Sequence, residues 1–220
     1  MGREFLEVFS GWAEQYDSFV EGEDDQYREV FRGYDRILEE VVSRTGQQTI
    51  EFGIGTGNLT HKLIQAGRKV WAVEPSEEMR QLALTKLPKE VVIVDGDMQN
   101  YPKPPFAVDT IVSSYVFHHL TDDEKTEVLK SYAELLEPGG KVVFADTLFI
   151  TPEARESIIE EAQDLRYDNL VEDLKREYYP LLSTVYSALS EAGFEDIGFK
   201  QMNAFVWIFE GTVKRTDKGE

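Results

Sequence analysis

Residues 49–60 read TIEFGIGTGNLT. A run of β-branched and apolar residues ends in three glycines at alternate positions, Gly53, Gly55 and Gly57, and a helix-compatible stretch covers 58–66. Glycine carries no Cβ, so a backbone can turn sharply there and come close to a ligand. A strand passing through such a turn into a helix is the repeating unit of open α/β sheets, whose ligands sit at the carboxyl ends of the strands. The stretch therefore predicts a fold class and the position of a site together.

Spacing narrows the ligand. A dinucleotide fingerprint requires G-x-G-x-x-G, but counting from Gly53 the third station is Asn58, and the third glycine falls one place early at Gly57. A phosphate-gripping loop ends in Gly-Lys-Ser/Thr, and Gly57-Asn58-Leu59 lacks the lysine. Both NAD and ATP are disfavoured.

Working outward, KVWAVE, VVIVD, DTIVSS and KVVFADT are further strand-like runs, with helical stretches expected at about 58–66, 76–87 and 122–136. Strands alternating with helices imply a parallel sheet covered on both faces. After Thr151 the rhythm changes: Pro152 opens a long polar helix-compatible segment that ends before Pro180, and a final helix near 183–192 is closed by Gly193. FEDIGFK and NAFVWIFE then read as two strands separated by a hairpin-length gap. At the other end, residues 3–45 read as two helices, carried by Phe5, Val8, Phe9 and Trp12 and then by Val30, Phe31, Tyr34, Ile37, Leu38 and Val41.

The expected architecture is α/β: a mostly parallel seven-stranded sheet with an antiparallel C-terminal edge, helices on both faces and a helical N-terminal cap. Its parts are a cap or lid at 1–45, a ligand-binding core at 46–150, a helical insertion at 151–182, a C-terminal helix and hairpin at 183–212, and a flexible tail at 213–220.

Bulk properties bound the chemistry. The 220 residues include no cysteine, which excludes disulfides, a thiolate nucleophile and cysteine-ligated metal. There are 42 acidic against 23 basic residues, a net charge of −19, which opposes docking on a phosphate backbone. The densest basic cluster, Lys214, Arg215 and Lys218, falls in the tail. No segment has the apolar length of a signal peptide or a membrane span, and Leu6 replaces the Ser or Thr of a myristoylation signal. A cytoplasmic protein without membrane or nucleic-acid partners is expected; nothing in the sequence sets its oligomeric state.

The alternating acidic-x-G-x-G-x-G pattern resembles that of the class I S-adenosylmethionine-dependent methyltransferases, with their Rossmann-like fold. Four more segments match in order: Glu74 after the second strand, Asp97-Met98 in VDGDMQ after the third, VDTIVSSYVFHHL at the fourth, and LLEPGGKVVFAD before and through the fifth. The chain is closer still to the YrrT-like bacterial methyltransferases. MGREF, FRGYD, EFGIGTGNLT, IVSSYVFHHLT and AFVWI nearly reproduce that family's segments, with Ala204 where it has Asp.

The resemblance implies S-adenosylmethionine as cofactor, S-adenosylhomocysteine as product and no metal. It places Gly53 and Gly55 against the cofactor, Glu74 on the ribose hydroxyls, Asp97 on the adenine amino group, Met98 over the ring, Glu51 near the methionine ammonium, and Ser113, Ser114 and Tyr115 beside the methionine moiety. A carboxylate suits two hydroxyl donors because it only accepts. Glu74 also reads as a helix cap, Glu51 as a solvent-facing acid, and Gly57 as a packing glycine.

Trp12, Tyr16 and Asp17 resemble the W-x-x-x-YD opening of small-molecule relatives, in which the first helix folds over the cofactor. Tyr16 is thus the lid candidate, followed by Tyr27 and Arg32. His119 and Tyr178 are candidates for the acceptor pocket, beside their neighbours His118 and Tyr179. The histidine pair reads first as structural and second as pocket lining; a metal site is disfavoured, because adjacent histidines on a helical turn point in different directions and no paired carboxylate motif accompanies them. No catalytic residue stands out. The implied reaction is methyl transfer to a small-molecule acceptor; the alternatives are protein methylation, cofactor binding without turnover, and, more distantly, a dehydrogenase.

Overall fold

The structure, a computed structural model, describes residues 16–214. The first expected helix, with Trp12, and most of the tail lie outside the described residues. Among them no helix is long and apolar enough to cross a membrane.

The chain enters through a short helix α1 (Tyr16–Val20) and, after a run of turns, α2 (Tyr34–Ser43). It then alternates β1 (Gln48–Phe52), α3 (Asn58–Gln65), β2 (Lys69–Val73), α4 (Glu77–Lys86), β3 (Val92–Val94) and β4 (Val108–Ser114). A 3₁₀ turn (Phe117–His119) leads into α5 (Asp122–Leu135) and β5 (Leu136–Thr147). Then come α6 (Pro152–Asp164), α7 (Asp168–Arg176), α8 (Leu182–Glu191), β6 (Phe194–Gln201) and β7 (Val206–Val213).

The seven strands form one sheet in the order β3-β2-β1-β4-β5-β7-β6. From β1 the chain steps outward to β2 and β3, then returns to lay β4 on the other side of β1. That reversal opens a crevice between β1 and β4 at their carboxyl ends, where an α/β sheet takes its ligand. The first five strands run parallel; β7 joins β5 antiparallel, and β6 pairs outside β7. The last strand of the chain is thus inserted, and the outermost strand is the one before it.

Side chains alternate across this sheet. Ile50, Phe52, Ile111, Val142 and Phe144 face one apolar core with α5 and α8, while Val112, Val143 and Ala145 face the other with α2, α3 and α6. Both faces are covered, which is why the central strands read as continuous apolar runs rather than alternating ones. Three helices start on side-chain caps: Ser76 accepts from Met79 N–H, Thr121 and Glu124 form a reciprocal capping box, and Thr151 caps α6 with Pro152 behind it.

Two expectations need correction. The long helix over 152–179 is two helices, broken at 165–167 with Arg166 at φ 60. Folding back lets Leu170 and Leu174 of α7 share a core with Ile159 and Ala162 of α6, which one straight helix would leave apart. The helix expected from Val30 begins only at Tyr34, because Gly33 stands in the left-handed region at φ 77.

Candidate active site

The three glycines all take positive φ: 67 at Gly53, 55 at Gly55 and 89 at Gly57. At Gly53 the requirement is doubled, since a Cβ there would lie 2.3 Å from Val116 Cγ2. The Gly53 N–H donates to the Val73 carbonyl (2.8 Å), and the Gly55 N–H donates to Glu74 Oε2 (2.9 Å). Glu74 Oε1 accepts from the Ser76 N–H (2.9 Å). One carboxylate at the end of β2 therefore straps the glycine turn to the start of α4. Burial raises its pKa, and the two backbone donors work in the opposite direction. A carboxylate offers about four lone-pair sites, so it can also accept from a ligand.

After β3, Asp97 Oδ1 accepts from the N–H groups of Gln99 (2.9 Å) and Asn100 (2.8 Å), and the Met98 carbonyl accepts from the Tyr132 hydroxyl (2.7 Å). These bonds fix a turn whose Asp97 and Met98 side chains border the same cavity as Gly53, Gly55, Glu74 and Ser114. Ser113 is buried and its Oγ donates to the Phe52 carbonyl (3.1 Å). Glu51 does not border the cavity. It is 1% exposed, accepts from the Thr60 hydroxyl (2.7 Å), and is pushed up to about 8 by burial, with Glu74 adding to the shift.

The cavity has a volume of about 460 Å³ and continues from Gly53, Gly55, Glu74 and Asp97 to a second end under α1 and α7. Tyr16 borders it close to Gly55, and Asp17 anchors α1 to the glycine turn by accepting from Thr56 Oγ1 (2.7 Å), Asn58 Nδ2 (3.2 Å) and Lys86. The Tyr27 hydroxyl donates to Asp173, which ties the segment after α1 to α7. Phe19 lies 4.5 Å from Tyr27 and 5.3 Å from Phe31, ring centre to ring centre, and Phe31 lies 5.0 Å from Tyr115. Arg32 pairs instead with Glu29 at 3.1 Å in an exposed position and does not border the cavity.

Tyr115 combines two costs. Its φ is 58, unusual for a bulky residue, and its buried hydroxyl has no hydrogen-bond partner among the described residues. Backbone strain and unmet polar groups collect where a site is pre-formed for a ligand. Tyr115→Phe removes the unmet hydroxyl alone, so without ligand it is expected to stabilise the fold by about 1 kcal/mol, roughly 2–4 °C in Tm. Thermal scans with and without ligand test this: the gain should shrink when ligand is present, and a lower unliganded Tm would contradict the reading.

At the far end sit two histidines, each against its own carboxylate. His118 Nδ1 lies 2.6 Å from Asp146 Oδ1, and the His118 backbone N–H donates to Asp146 Oδ2 (3.1 Å). His119 Nδ1 lies 3.0 Å from Glu177 Oε2. The two rings are 4.2 Å apart, and Tyr179 stacks on His118 at 4.7 Å. For His118, burial opposes the charged form, but the Asp146 carboxylate outweighs it and the pKa is raised. For His119, burial and then the neighbouring His118 hold it below the usual histidine value, against the pull of Glu177. One imidazole is thus biased toward the cation and the other toward the neutral form. Donor atoms of His118, His119 and Glu177 lie within 4.8 Å of one another, a grouping of the size that surrounds an ion. In this structure both rings are engaged by carboxylates.

Tyr178 is corrected as a pocket residue. It is 41% exposed and absent from the cavity wall; its backbone carries the contacts, the N–H donating to the His118 carbonyl (3.0 Å) and the carbonyl accepting from Lys125 Nζ (2.7 Å). Tyr179, next along the chain, takes the inward position. The sequence reading also missed Asp146 and Glu177 as the partners of the histidines. A lone acid ending the apolar strand run KVVFAD was the available signal for Asp146; nothing local marks Glu177.

Comparison with known proteins places this geometry. Residues 50–140 match the family model described as "Methyltransferase domain". An uncharacterised methyltransferase of Geobacillus kaustophilus is 54% identical over 216 residues, covering 98% of this chain and 100% of the relative. Among solved structures, the magnesium protoporphyrin IX methyltransferase of Synechocystis PCC 6803, with bound S-adenosylhomocysteine, superposes with a TM-score of 0.72 at 16% identity, covering 94% of this chain and 97% of that one. An S-adenosylmethionine-dependent methyltransferase of Thermotoga maritima, titled a possible histamine N-methyltransferase, gives 0.67 at 19% identity over 95% and 99%. The two structures share the fold, the Geobacillus relative shares the sequence nearly end to end, and the chain belongs to the methyltransferase family, with the class I fold.

Proposed function

We propose that this protein transfers a methyl group from S-adenosylmethionine to a small-molecule acceptor. The observation that carries the reading is the single continuous cavity. Gly53, Gly55, Glu74, Asp97, Met98 and Ser114 border one end, in the stations the resemblance assigns to the cofactor, and His119 and Tyr179 border the other. At about 460 Å³ the whole space falls within the size range of small-ligand pockets, and the cofactor would take a large part of it. What is left suits a metabolite better than a folded chain or a duplex. Of the solved structures with this fold, one is a magnesium protoporphyrin IX methyltransferase and another a possible histamine N-methyltransferase, which points the same way.

Methyl transfer is an in-line displacement at a sulfonium carbon, so the donor brings its own leaving group. Oriented reactants reach effective molarities on the order of 10⁵–10⁸ M, whereas a positioned base adds about 10²–10⁴-fold. The protein's main work is alignment and exclusion of water. On this reading the helices α1 and α2, pinned through Asp17, and α6 with α7, pinned through Asp173, form the cover. Closing that cover strengthens the electrostatic contacts inside.

The test is calorimetric titration with S-adenosylmethionine and S-adenosylhomocysteine, with NADH as control, followed by transfer of labelled methyl to metabolite and protein fractions. Micromolar binding of the first two and label in the metabolite fraction are expected. Label confined to protein would replace the acceptor class; binding with no transfer would make the protein a cofactor sensor; NADH binding instead would return the dehydrogenase.

A further inference from the structure

We propose that the acceptor is an amine, and that His119, positioned by Glu177, takes the proton that the amine must lose before methylation. This rests on the methyl-transfer reading above and adds the acceptor's chemistry and a catalytic residue to it.

The first observation is the lining of the acceptor end. Phe19, Tyr27, Phe31 and Tyr179 supply aromatic faces and edges. Glu172, Asp173 and Glu177 border the same end, against Arg176, which is itself paired with all three: 3.6 Å to Glu172, 2.7 Å to Asp173 and 3.3 Å to Glu177. Aromatic walls with an excess of carboxylate attract an ammonium group and repel a carboxylate or phosphate. The chain's overall charge of −19 favours the same encounter.

An ammonium ion has no lone pair to attack with, so a site that selects it must also deprotonate it. His119 fits that task by geometry. It borders the cavity, and Glu177 Oε2 holds Nδ1 at 3.0 Å. A carboxylate on Nδ1 fixes the proton there, leaves Nε2 as the accepting nitrogen and stabilises the imidazolium once formed, the logic of histidine–carboxylate pairs in general-base catalysis. Among the described residues, the other charged groups facing the pair are His118, with its ring 4.2 Å away, Asp146 behind it, Lys125 toward His118, and Arg176 and Asp173 around Glu177. Burial and the neighbouring His118 both lower the His119 pKa, which favours the neutral form that can receive a proton.

The step balances as follows. The bound ammonium gives one proton to His119 Nε2. The freed nitrogen lone pair forms a bond to the methyl carbon of the sulfonium as the carbon–sulfur bond breaks, its electron pair going to sulfur. The products are the methylated ammonium and the neutral thioether, and His119 returns its proton to solvent.

The experiment uses the full chain, saturating S-adenosylmethionine, and acceptors matched in skeleton: 2-phenylethylamine, 2-phenylethanol and 2-phenylethanethiol, then butylamine, butanol and butanethiol. Formation of S-adenosylhomocysteine is measured. Turnover of amines alone is expected. Turnover of an alcohol or thiol without amine turnover overturns the proposal, as does cofactor binding with no amine turned over. His119→Ala and the bulkier His119→Gln should each lower kcat about 10²–10⁴-fold while leaving calorimetric affinity for S-adenosylmethionine unchanged; retained binding shows that the variants fold. In Glu177→Gln the acid limb of the kcat profile should move to lower pH, because loss of the carboxylate favours the neutral ring. A purely structural Glu177 would lower activity without moving that limb. Unchanged kcat in both His119 variants, or wild-type activity abolished by EDTA and restored by Mg²⁺, would also overturn it. Failure to bind S-adenosylmethionine would instead remove the parent reading, and this one with it.

Discussion

Asp146→Ala is expected to cost about 3–5 kcal/mol of folding stability, the range for breaking a buried ion pair from one side. Asp146 is fully buried and accepts three hydrogen bonds: His118 Nδ1–H (2.6 Å), His118 backbone N–H (3.1 Å) and Thr147 N–H (2.7 Å). Alanine leaves all three donors in a space that supplies no other acceptor from residue 146. The dependence on pH separates the charge from the hydrogen bonds. The Asp146 pKa is lowered: burial opposes this, but His118 outweighs it, so its contribution is present above the unfolded aspartate value and is lost as pH falls through the lower folded one. The His118 pKa is raised, so its contribution is complete below about 6.5 and is lost as pH rises through the higher folded value. These are two views of one interaction, strongest between about pH 4 and 6.5. Urea unfolding of wild type and variant across pH 4–10 should show the largest gap in that window and a smaller one at the alkaline end. A gap below 1 kcal/mol throughout would show that the pair is not the anchor its burial implies.

The same residue shows where sequence reading reached its limit. The glycine turn, the strand–helix alternation and the acids at Glu74 and Asp97 were legible because each depends on local spacing: a left-handed backbone needs glycine, and a strand end puts the next side chain over the crevice. The break at Arg166 was not legible, since the segment has neither glycine nor proline there and the turn is driven by Leu170 and Leu174 meeting Ile159 and Ala162. The inward choice of Tyr179 over Tyr178 was also hidden, because both are aromatic and only the path of the irregular segment before Pro180 decides between them. His118 and His119 were visible as a pair, but the partners that hold their rings are Asp146, 28 residues away, and Glu177, 58 away, and the opposite directions of their pKa shifts come from Asp146 at His118 and from burial and His118 at His119. Local patterns thus reached the end of the cavity bordered by Gly53, Gly55, Glu74 and Asp97, while the end bordered by His119 and Tyr179 depends on contacts between distant segments.

Glu74→Ala is expected to weaken S-adenosylhomocysteine binding by about 1–3 kcal/mol, the worth of a charged hydrogen-bond partner, or roughly 5- to 150-fold in Kd, with unfolding still cooperative. The difficulty is that Glu74 already holds the Gly55 and Ser76 N–H groups, so a weaker Kd alone could come from a loosened glycine turn. A double-mutant cycle resolves this, with wild type and Glu74→Ala each titrated with S-adenosylhomocysteine and with its 2′-deoxy analogue. If the carboxylate accepts from the ribose, the missing hydroxyl should cost wild type at least 1 kcal/mol more than it costs the variant. Equal losses would leave Glu74 as a strap for the turn and nothing more. Coupling is the favoured outcome on physical grounds. Burial raises this carboxylate's pKa, so its charged form is disfavoured in the unliganded fold, and two hydroxyl donors arriving with the ligand would offset part of that penalty. The strap and the ribose contact are then successive uses of one buried charge: the backbone donors keep it in place, and the ligand completes its solvation.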